Sequence, residues 1–99
     1  MDKEVYQKKA QIFKALANPI RLEVIDTLTD GEKCVCEIVE KLKEYEQPHI
    51  SKSLSKLKEA GLIQDRKDGL NVYYSLKYNC MSEFSSCLNK ILKDEGKKF

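Results

Sequence analysis

The spacing of apolar residues changes at Gly61, and this change constrains the fold more than any other feature of the 99-residue sequence. Before Gly61, apolar residues recur with the period of an α-helix. After it comes L-I-Q-D-R-K-D-G-L-N-V-Y-Y-S-L, which is typical of two short β-strands around Asp68-Gly69, a strong signal for a tight hairpin. A last helical pattern follows. The order helix, helix, helix, helix, hairpin, helix therefore predicts a mainly α fold with one small β-hairpin.

Helix start and stop residues support this order. Asn18 is a good N-cap and Pro19 suits the first position of the second helix, while Gly61 suits the end of the fourth. No repeat, linker or low-complexity segment interrupts the pattern, so residues 1–99 are predicted to form a single domain. The predicted helices cover residues 4–17, 19–29, 34–43, 48–60 and 79–95.

The fourth predicted helix carries an unusual polar face. Its sequence is P-H-I-S-K-S-L-S-K-L-K-E-A-G, with hydroxyls and cations on the arc opposite the apolar residues. Residues 48–67 carry 5 basic and 2 acidic side chains, a balance of +3, whereas residues 1–47 carry 8 basic and 10 acidic, a balance of −2. Serines keep a helix slim enough for the major groove of DNA, and cations pair with phosphates. Two short helices joined by a tight turn, the second basic and followed by a hairpin, are typical of a winged helix-turn-helix.

Ten polar residues on this helix and hairpin are predicted to contact DNA. Gln47 suits a bidentate pair with adenine, and Lys52 and Lys56 are spaced for successive phosphates. Arg66 and Lys67 flank the hairpin turn, where a wing meets the minor groove or the DNA backbone. The alternatives are a protein-interaction module that uses the same surface, and a small α+β domain without a nucleic-acid role. The predicted DNA contacts are Gln47, His49, Ser51, Lys52, Ser53, Ser55, Lys56, Arg66, Lys67 and Asn71.

Other function classes fit the sequence poorly. An enzyme is not expected, because the single histidine, His49, has no partner for nucleophile–base catalysis and no glycine-rich phosphate loop is present. No apolar run approaches the roughly 18 residues that cross a bilayer, and the first residues lack the apolar core of a secretion signal. A cytoplasmic protein without a membrane partner is therefore expected. In that reducing compartment, four cysteines serve as core residues, metal ligands or redox groups rather than as a disulfide framework.

The chain resembles the ArsR/SmtB family of bacterial and archaeal transcriptional repressors over about residues 10–78. The resemblance implies a homodimeric winged helix-turn-helix repressor that leaves its operator when an inducer binds, often a metal ion or metalloid. It assigns residues 48–60 to the DNA-recognition helix, 62–76 to the two-stranded wing, and 1–17 and 79–95 to dimerisation. A dimer implies a double-stranded operator with two-fold symmetry. The segments that carry the resemblance are A-L-A-N-P-I-R-L-E-V-I-D-T-L, K-C-V-C-E-I, Q-P-H-I-S-K-S-L-S-K-L-K-E-A-G-L-I and G-L-N-V-Y-Y-S-L.

Cys34 and Cys36 match a Cys-Val-Cys element that arsenic- and cadmium-type members of this family carry before the recognition helix. The resemblance therefore implies that these two thiols bind the inducer. Lys33 departs from the family pattern, which has an apolar residue there, and Cys80 and Cys87 on the last helix are not required by it. Other members hold zinc on the last helix with histidines, and here that helix contains no histidine.

The chemistry of the thiols leaves the inducer open. Thiolates favour arsenic(III), antimony(III), cadmium, lead, zinc or copper(I) over hard cations, and Cys80, Cys87 or a non-protein thiol are candidates for a third ligand. On an ideal helix Cys34 and Cys36 point about 200° apart, so chelation is expected to unwind the start of the third helix. The short span also predicts a poor disulfide pair. Redox or reactive-sulfur sensing, and a role as buried apolar residues, are the alternatives.

Overall fold

The structure, a computed structural model, describes residues 2–95, which form five helices and three strands. Met1 and residues 96–99 lie outside the described part, so the domain predicted over residues 1–99 is described without them. The elements in chain order are α1 (Lys3–Leu16), α2 (Pro19–Thr27), β1 (Lys33–Cys34), α3 (Val35–Lys41), α4 (Gln47–Glu59), β2 (Ile63–Asp68), β3 (Asn71–Leu76) and α5 (Cys80–Glu95).

Local side-chain chemistry accounts for the ends of the helices. The Asn18 side chain caps α2 by accepting hydrogen bonds from the backbone N–H groups of Ile20 (2.9 Å) and Arg21 (3.2 Å). The prediction that Asn18 is the N-cap is therefore confirmed. Helix α4 begins at Gln47, one residue before the predicted start. It ends before Gly61, whose φ of +77° is the left-handed conformation that glycine adopts without steric cost.

The sheet has three strands rather than the predicted two. Strands β2 and β3 form the expected antiparallel hairpin, with a turn at Gly69, whose φ is +64°. Strand β1 adds to the other side of β3, so the strand order is β1-β3-β2. Lys33 pairs with Tyr74, and Cys34 pairs with Tyr73. A two-residue strand is too short to show an alternating pattern in the sequence. It forms because β3, a distant part of the chain, supplies its hydrogen bonds.

The core draws on all five helices and the start of the hairpin. Ile25, Ile38 and Leu57 are fully buried, and Tyr74 of β3 packs against the same cluster. Fully burying an aliphatic side chain stabilises a fold by about 1.5–3 kcal/mol, so this cluster fixes α4 against α2 and α3. Its members are Leu16, Val24, Ile25, Leu28, Ile38, Leu42, Ile50, Leu54, Leu57, Leu62, Ile63 and Met81.

Helices α1 and α5 leave apolar side chains exposed on the outside of the domain. Phe13 of α1 meets Phe84 of α5 edge-to-face, with ring centroids 5.8 Å apart, yet Phe13 is 59% exposed. The Ser85 hydroxyl donates a hydrogen bond to Asp26 and ties α5 to α2. None of the described helices has both the length and the apolar character needed to span a membrane. The large exposed apolar residues on α1, α2 and α5 are Tyr6, Ile12, Phe13, Leu22, Ile91 and Leu92.

Candidate nucleic-acid interface and adjoining cysteine site

Helix α4 presents a polar, positively charged face to solvent, with Lys52 and Lys56 one turn apart on it. Ser53 departs from the prediction, because its side chain is only 5% exposed. Position 53 comes three residues after Ile50 and four before Leu57, so it falls within the buried stripe of the helix. The predicted contacts of α4 that are exposed are Gln47, His49, Ser51, Lys52, Ser55 and Lys56.

A recess of about 280 Å³ lies where α2 meets the exposed face of α4. Arg21 lines it together with His49 and Lys52, so three basic side chains border one recess. Arg21 Nη1 donates to the Ala15 carbonyl oxygen at 3.2 Å, and its buried Nε has no hydrogen-bond partner among residues 2–95. No local sequence pattern marks Arg21, because its place in the first turn of α2 gives no sign that α4 lies beside it.

In the wing, Arg66 is held by acidic side chains of its own chain. Its Nε and Nη2 donate to the two carboxylate oxygens of Glu32 at 2.8 and 2.7 Å, and its Nη1 lies 3.9 Å from an Asp68 oxygen. The guanidinium also stacks on Tyr73, 4.6 Å from the ring centroid. Hydrogen bonding to Arg66 holds the pKa of Glu32 below its ordinary value and raises the pKa of Arg66 itself. Lys67, the other predicted contact beside the turn, is exposed.

Cys34 and Cys36 are joined by a disulfide, so the prediction of a poor disulfide pair is wrong. The third helix begins at Val35, one residue later than predicted, and Cys34 is its N-cap with extended backbone angles (φ −74°, ψ 158°). The angle of about 200° between the two side chains, expected if both cysteines lay within a helix, therefore does not apply. An extended residue followed by a helical turn sets the two Cα atoms 5.3 Å apart, within the range that a disulfide spans. The two sulfurs meet without any unwinding of α3.

Cys34 and Glu37 cap α3 reciprocally. The Glu37 backbone N–H donates to Cys34 Sγ at 3.4 Å, and the Cys34 backbone N–H donates to a Glu37 carboxylate oxygen at 3.0 Å. This is a capping box in which cysteine takes the place usually held by serine or threonine. Cys34 is buried and Cys36 is exposed. Chemistry at the Cys34 sulfur therefore acts directly on the first turn of α3.

The cysteine pair borders an open groove of about 550 Å³ between α3, the start of α4 and the wing. Gln47 contributes to the groove from α4 and Asn71 from β3, and both are exposed residues predicted to contact DNA. A group held by the two sulfurs would lie beside both of these elements. The residues that line the groove are Cys34, Val35, Cys36, Val39, Glu40, Gln47, Leu70, Asn71 and Val72.

The described chain supplies two sulfur ligands to this groove. Across residues 2–95, no cluster of three His, Cys, Asp or Glu side chains is placed to hold a metal ion. Cys80 and Cys87 are exposed free thiols on α5 and do not line the groove. A third thiolate for an ion at Cys34 and Cys36 would therefore come from outside the residues that line this groove.

A hydrogen bond between Tyr45 and Glu23 positions the turn that leads into α4. The Tyr45 hydroxyl donates to the carboxylate of Glu23 in α2. This bond, assisted by burial, raises the pKa of Tyr45 to about 12. The turn is thereby tied to α2, on which α4 also packs.

Known proteins of similar sequence and structure are transcriptional regulators. Residues 18–65 match the family described as bacterial regulatory protein, arsR family. The HTH-type transcriptional regulator MJ1325 of Methanocaldococcus jannaschii is 47% identical over 73 residues, which cover 72% of this chain and 81% of that protein. An arsenical resistance operon repressor of Staphylococcus aureus is 33% identical over 86 residues, covering 87% of this chain and 82% of the repressor.

A solved structure shares the fold over nearly the whole chain. The homodimeric winged helix-turn-helix DNA-binding domain Mb0332 from Mycobacterium bovis superposes with a TM-score of 0.80 at 25% identity, covering 97% of this chain and 88% of that domain. The predicted winged helix-turn-helix fold is thereby confirmed.

Proposed function

The chain belongs to the arsR family of bacterial regulatory proteins, and we propose that it is a homodimeric repressor released from its operator when a thiophilic metal or metalloid binds Cys34 and Cys36. The observation that carries the proposal is the groove that the cysteine pair shares with Gln47 of α4 and Asn71 of the wing. A ligand on the sulfurs would alter two DNA-contacting elements at once. Binding an operator also implies that the protein acts in the cytoplasm.

The exposed face of α4 supports DNA binding. Lys52 and Lys56 are exposed one turn apart, and no ion pair within residues 2–95 involves either of them. Both ammonium groups are therefore available to phosphates, while Gln47 and His49 lie at the helix N-terminus, where base edges are read in this motif.

The outer faces of α1 and α5 support a homodimer. Phe13, Ile91 and Leu92 are each about half exposed, which is costly for a monomer of this size. Burying them against a second copy would set two α4 helices at a fixed separation. Two such helices read two half-sites related by a two-fold axis.

The two cysteine sulfurs are suitable ligands for a trivalent metalloid. Two thiols displace two hydroxides of arsenous acid, so that two As–S bonds form and two waters leave, and the third position keeps hydroxide or takes an external thiol. The disulfide must first be reduced by a dithiol, which is itself oxidised to a disulfide. A ligand on Cys34 would therefore be bound by the same sulfur that accepts the Glu37 N–H and caps α3.

A titration with two simultaneous readouts tests this function. Reduced protein on a fluorescent duplex from the DNA upstream of its gene is titrated with arsenite, antimony(III), cadmium, lead, zinc or copper(I). We expect thiolate charge-transfer absorbance and loss of DNA anisotropy to saturate together at one ion per protomer for at least one of them. Cys36→Ser should abolish the response, and the Cys80→Ser/Cys87→Ser double variant should keep it. Unchanged DNA binding with every ion would contradict the proposal.

A second candidate, a repressor controlled by thiol oxidation, is favoured by the Cys34–Cys36 disulfide. Exchange with a disulfide oxidant transfers two electrons and two protons from the thiols to that oxidant, and a dithiol returns them. In this case mild oxidation should release DNA without any metal, and dithiothreitol should restore binding. Cys34→Ser should be insensitive to both treatments. Equal DNA affinity of the oxidised and reduced forms would exclude this candidate.

A further inference from the structure

Arg66 has one bidentate edge, formed by Nε and Nη2, occupied by a carboxylate of its own chain. Glu32 takes Nε and Nη2 in a bidentate pair, Asp68 lies near Nη1, and Tyr73 covers one face of the guanidinium. A carboxylate and a phosphate present the same two-oxygen edge to the arginine fork. A DNA phosphate can therefore gain a bidentate contact on the Nε–Nη2 edge only by displacing Glu32.

We propose that Glu32 competes with DNA phosphate for Arg66, and so lowers the affinity of the wing for DNA. The inference rests on the proposed DNA-binding function and adds to it a residue that weakens binding. Glu32 comes immediately before β1, whose Cys34 is part of the candidate sensor. The competitor is thus attached to the segment in which the sulfur chemistry takes place.

The charges around the pair agree with this role. Glu32 and Asp68 balance Arg66 and Lys67, so the wing near its tip has no net charge, in contrast to the cationic face of α4. The side chains of Arg66 and Glu32 are 54% and 35% exposed. Exposed ion pairs are weak enough to be broken, so DNA can displace Glu32 at a modest cost in affinity.

A double-mutant cycle on DNA affinity tests the proposal. Wild type, Glu32→Gln, Arg66→Ala and the double variant are titrated onto a fluorescent duplex at several salt concentrations, without reductant so that the disulfide stays intact. We expect Glu32→Gln to bind about two- to fivefold more tightly than wild type. The plot of log affinity against log salt should steepen by about one unit for each wing that gains a phosphate contact. In the Arg66→Ala background, Glu32→Gln should change neither quantity.

The matched control is Asp30→Asn. It removes the same charge from an exposed ion pair of the same segment, that of Asp30 with Lys33 (2.8 Å), and Asp30 does not line the groove of the cysteine pair. If Glu32→Gln binds no more tightly than Asp30→Asn, or gains equally without Arg66, the competition is overturned. Weaker binding by Glu32→Gln would also overturn it and would mean that Glu32 orients Arg66 towards DNA. The titration is repeated with dithiothreitol, and if neither wild type nor Glu32→Gln binds duplex DNA in either redox state, the proposed function fails as well.

Discussion

Cys34 of β1 and Tyr73 of β3 face each other across the sheet, and Tyr73 pairs in turn with Arg66 of β2. Residues paired directly across antiparallel strands point to the same face, so these three side chains form one row across the sheet. The cysteine element is therefore part of the same sheet as the wing. In the proposed repressor, a backbone change at Cys34 would reach the wing through this strand pairing, in addition to its effect on α3.

The cap of α3 predicts different outcomes for two substitutions of Cys34. In reduced protein, Cys34→Ser keeps a side chain that accepts the Glu37 N–H, whereas Cys34→Ala leaves that group without its partner. We expect Cys34→Ala to be less stable than Cys34→Ser by about 1 kcal/mol in urea unfolding. Both variants should lose the ion-dependent absorbance. Equal stabilities would show that the cap contributes nothing.

The exposed face of α4 predicts two kinds of DNA-binding defect. Lys52→Ala and Lys56→Ala should each weaken binding to all sequences and lower the salt slope by about one unit per contact. Replacing Gln47 or His49 with alanine should instead change the preference among sequences. Anisotropy titrations on several duplexes at several salt concentrations separate the two kinds.

Ser51 and Ser53 of α4 provide a test position and its control for DNA binding by this face. Ser51→Ala alters an exposed position and should lower DNA affinity with little effect on stability. Ser53→Ala alters a buried position and should leave the DNA contacts unchanged. A larger loss of affinity for Ser53→Ala than for Ser51→Ala would contradict the orientation of the helix.

The bond between Tyr45 and Glu23 predicts an unusual tyrosine titration. Because the pKa of Tyr45 is raised to about 12, the fold favours the neutral phenol, and this contribution to stability is complete below the ordinary tyrosine pKa near 10 and lost as the pH rises through about 12. Absorbance of tyrosinate should show one component titrating near pH 12. Tyr45→Phe should remove that component, and its presence in the variant would assign it to another tyrosine.

The exposed apolar surface of α1 and α5 predicts a change of oligomeric state. Phe13→Glu places a charge in the proposed dimer interface and should shift the protein to monomers in sedimentation, with weaker DNA binding. Ile91→Glu on α5 tests the same surface without disturbing the Phe13–Phe84 contact. Leu70→Glu is the control for the oligomeric state alone, because Leu70 is fully exposed at the wing tip and outside this surface. Dimers of unchanged affinity in both α1 and α5 variants would refute the interface.

The order of elements was predictable from the sequence because it depends on neighbouring residues. The Asn18 cap, the left-handed Gly61 and Gly69, and the apolar stripe of α4 each express interactions within a few residues of the chain. The exposed polar face of α4 followed from the same periodicity. The prediction for Ser53 was wrong because this position falls within the buried stripe although its side chain is polar.

Tertiary structure decided what depends on distant partners. Strand β1 exists because β3 supplies its hydrogen bonds, and that pairing makes Cys34 an extended N-cap instead of a helical residue. The two sulfurs can therefore meet, which helical periodicity had excluded. The Glu32–Arg66 ion pair joins residues 34 positions apart, so no local sequence pattern predicts it. The sequence by itself determined the helices, the hairpin and the residue types available for DNA and thiol chemistry, because those follow from local propensity. Only the folded chain determined which of them meet, since that depends on contacts across the sheet and between helices.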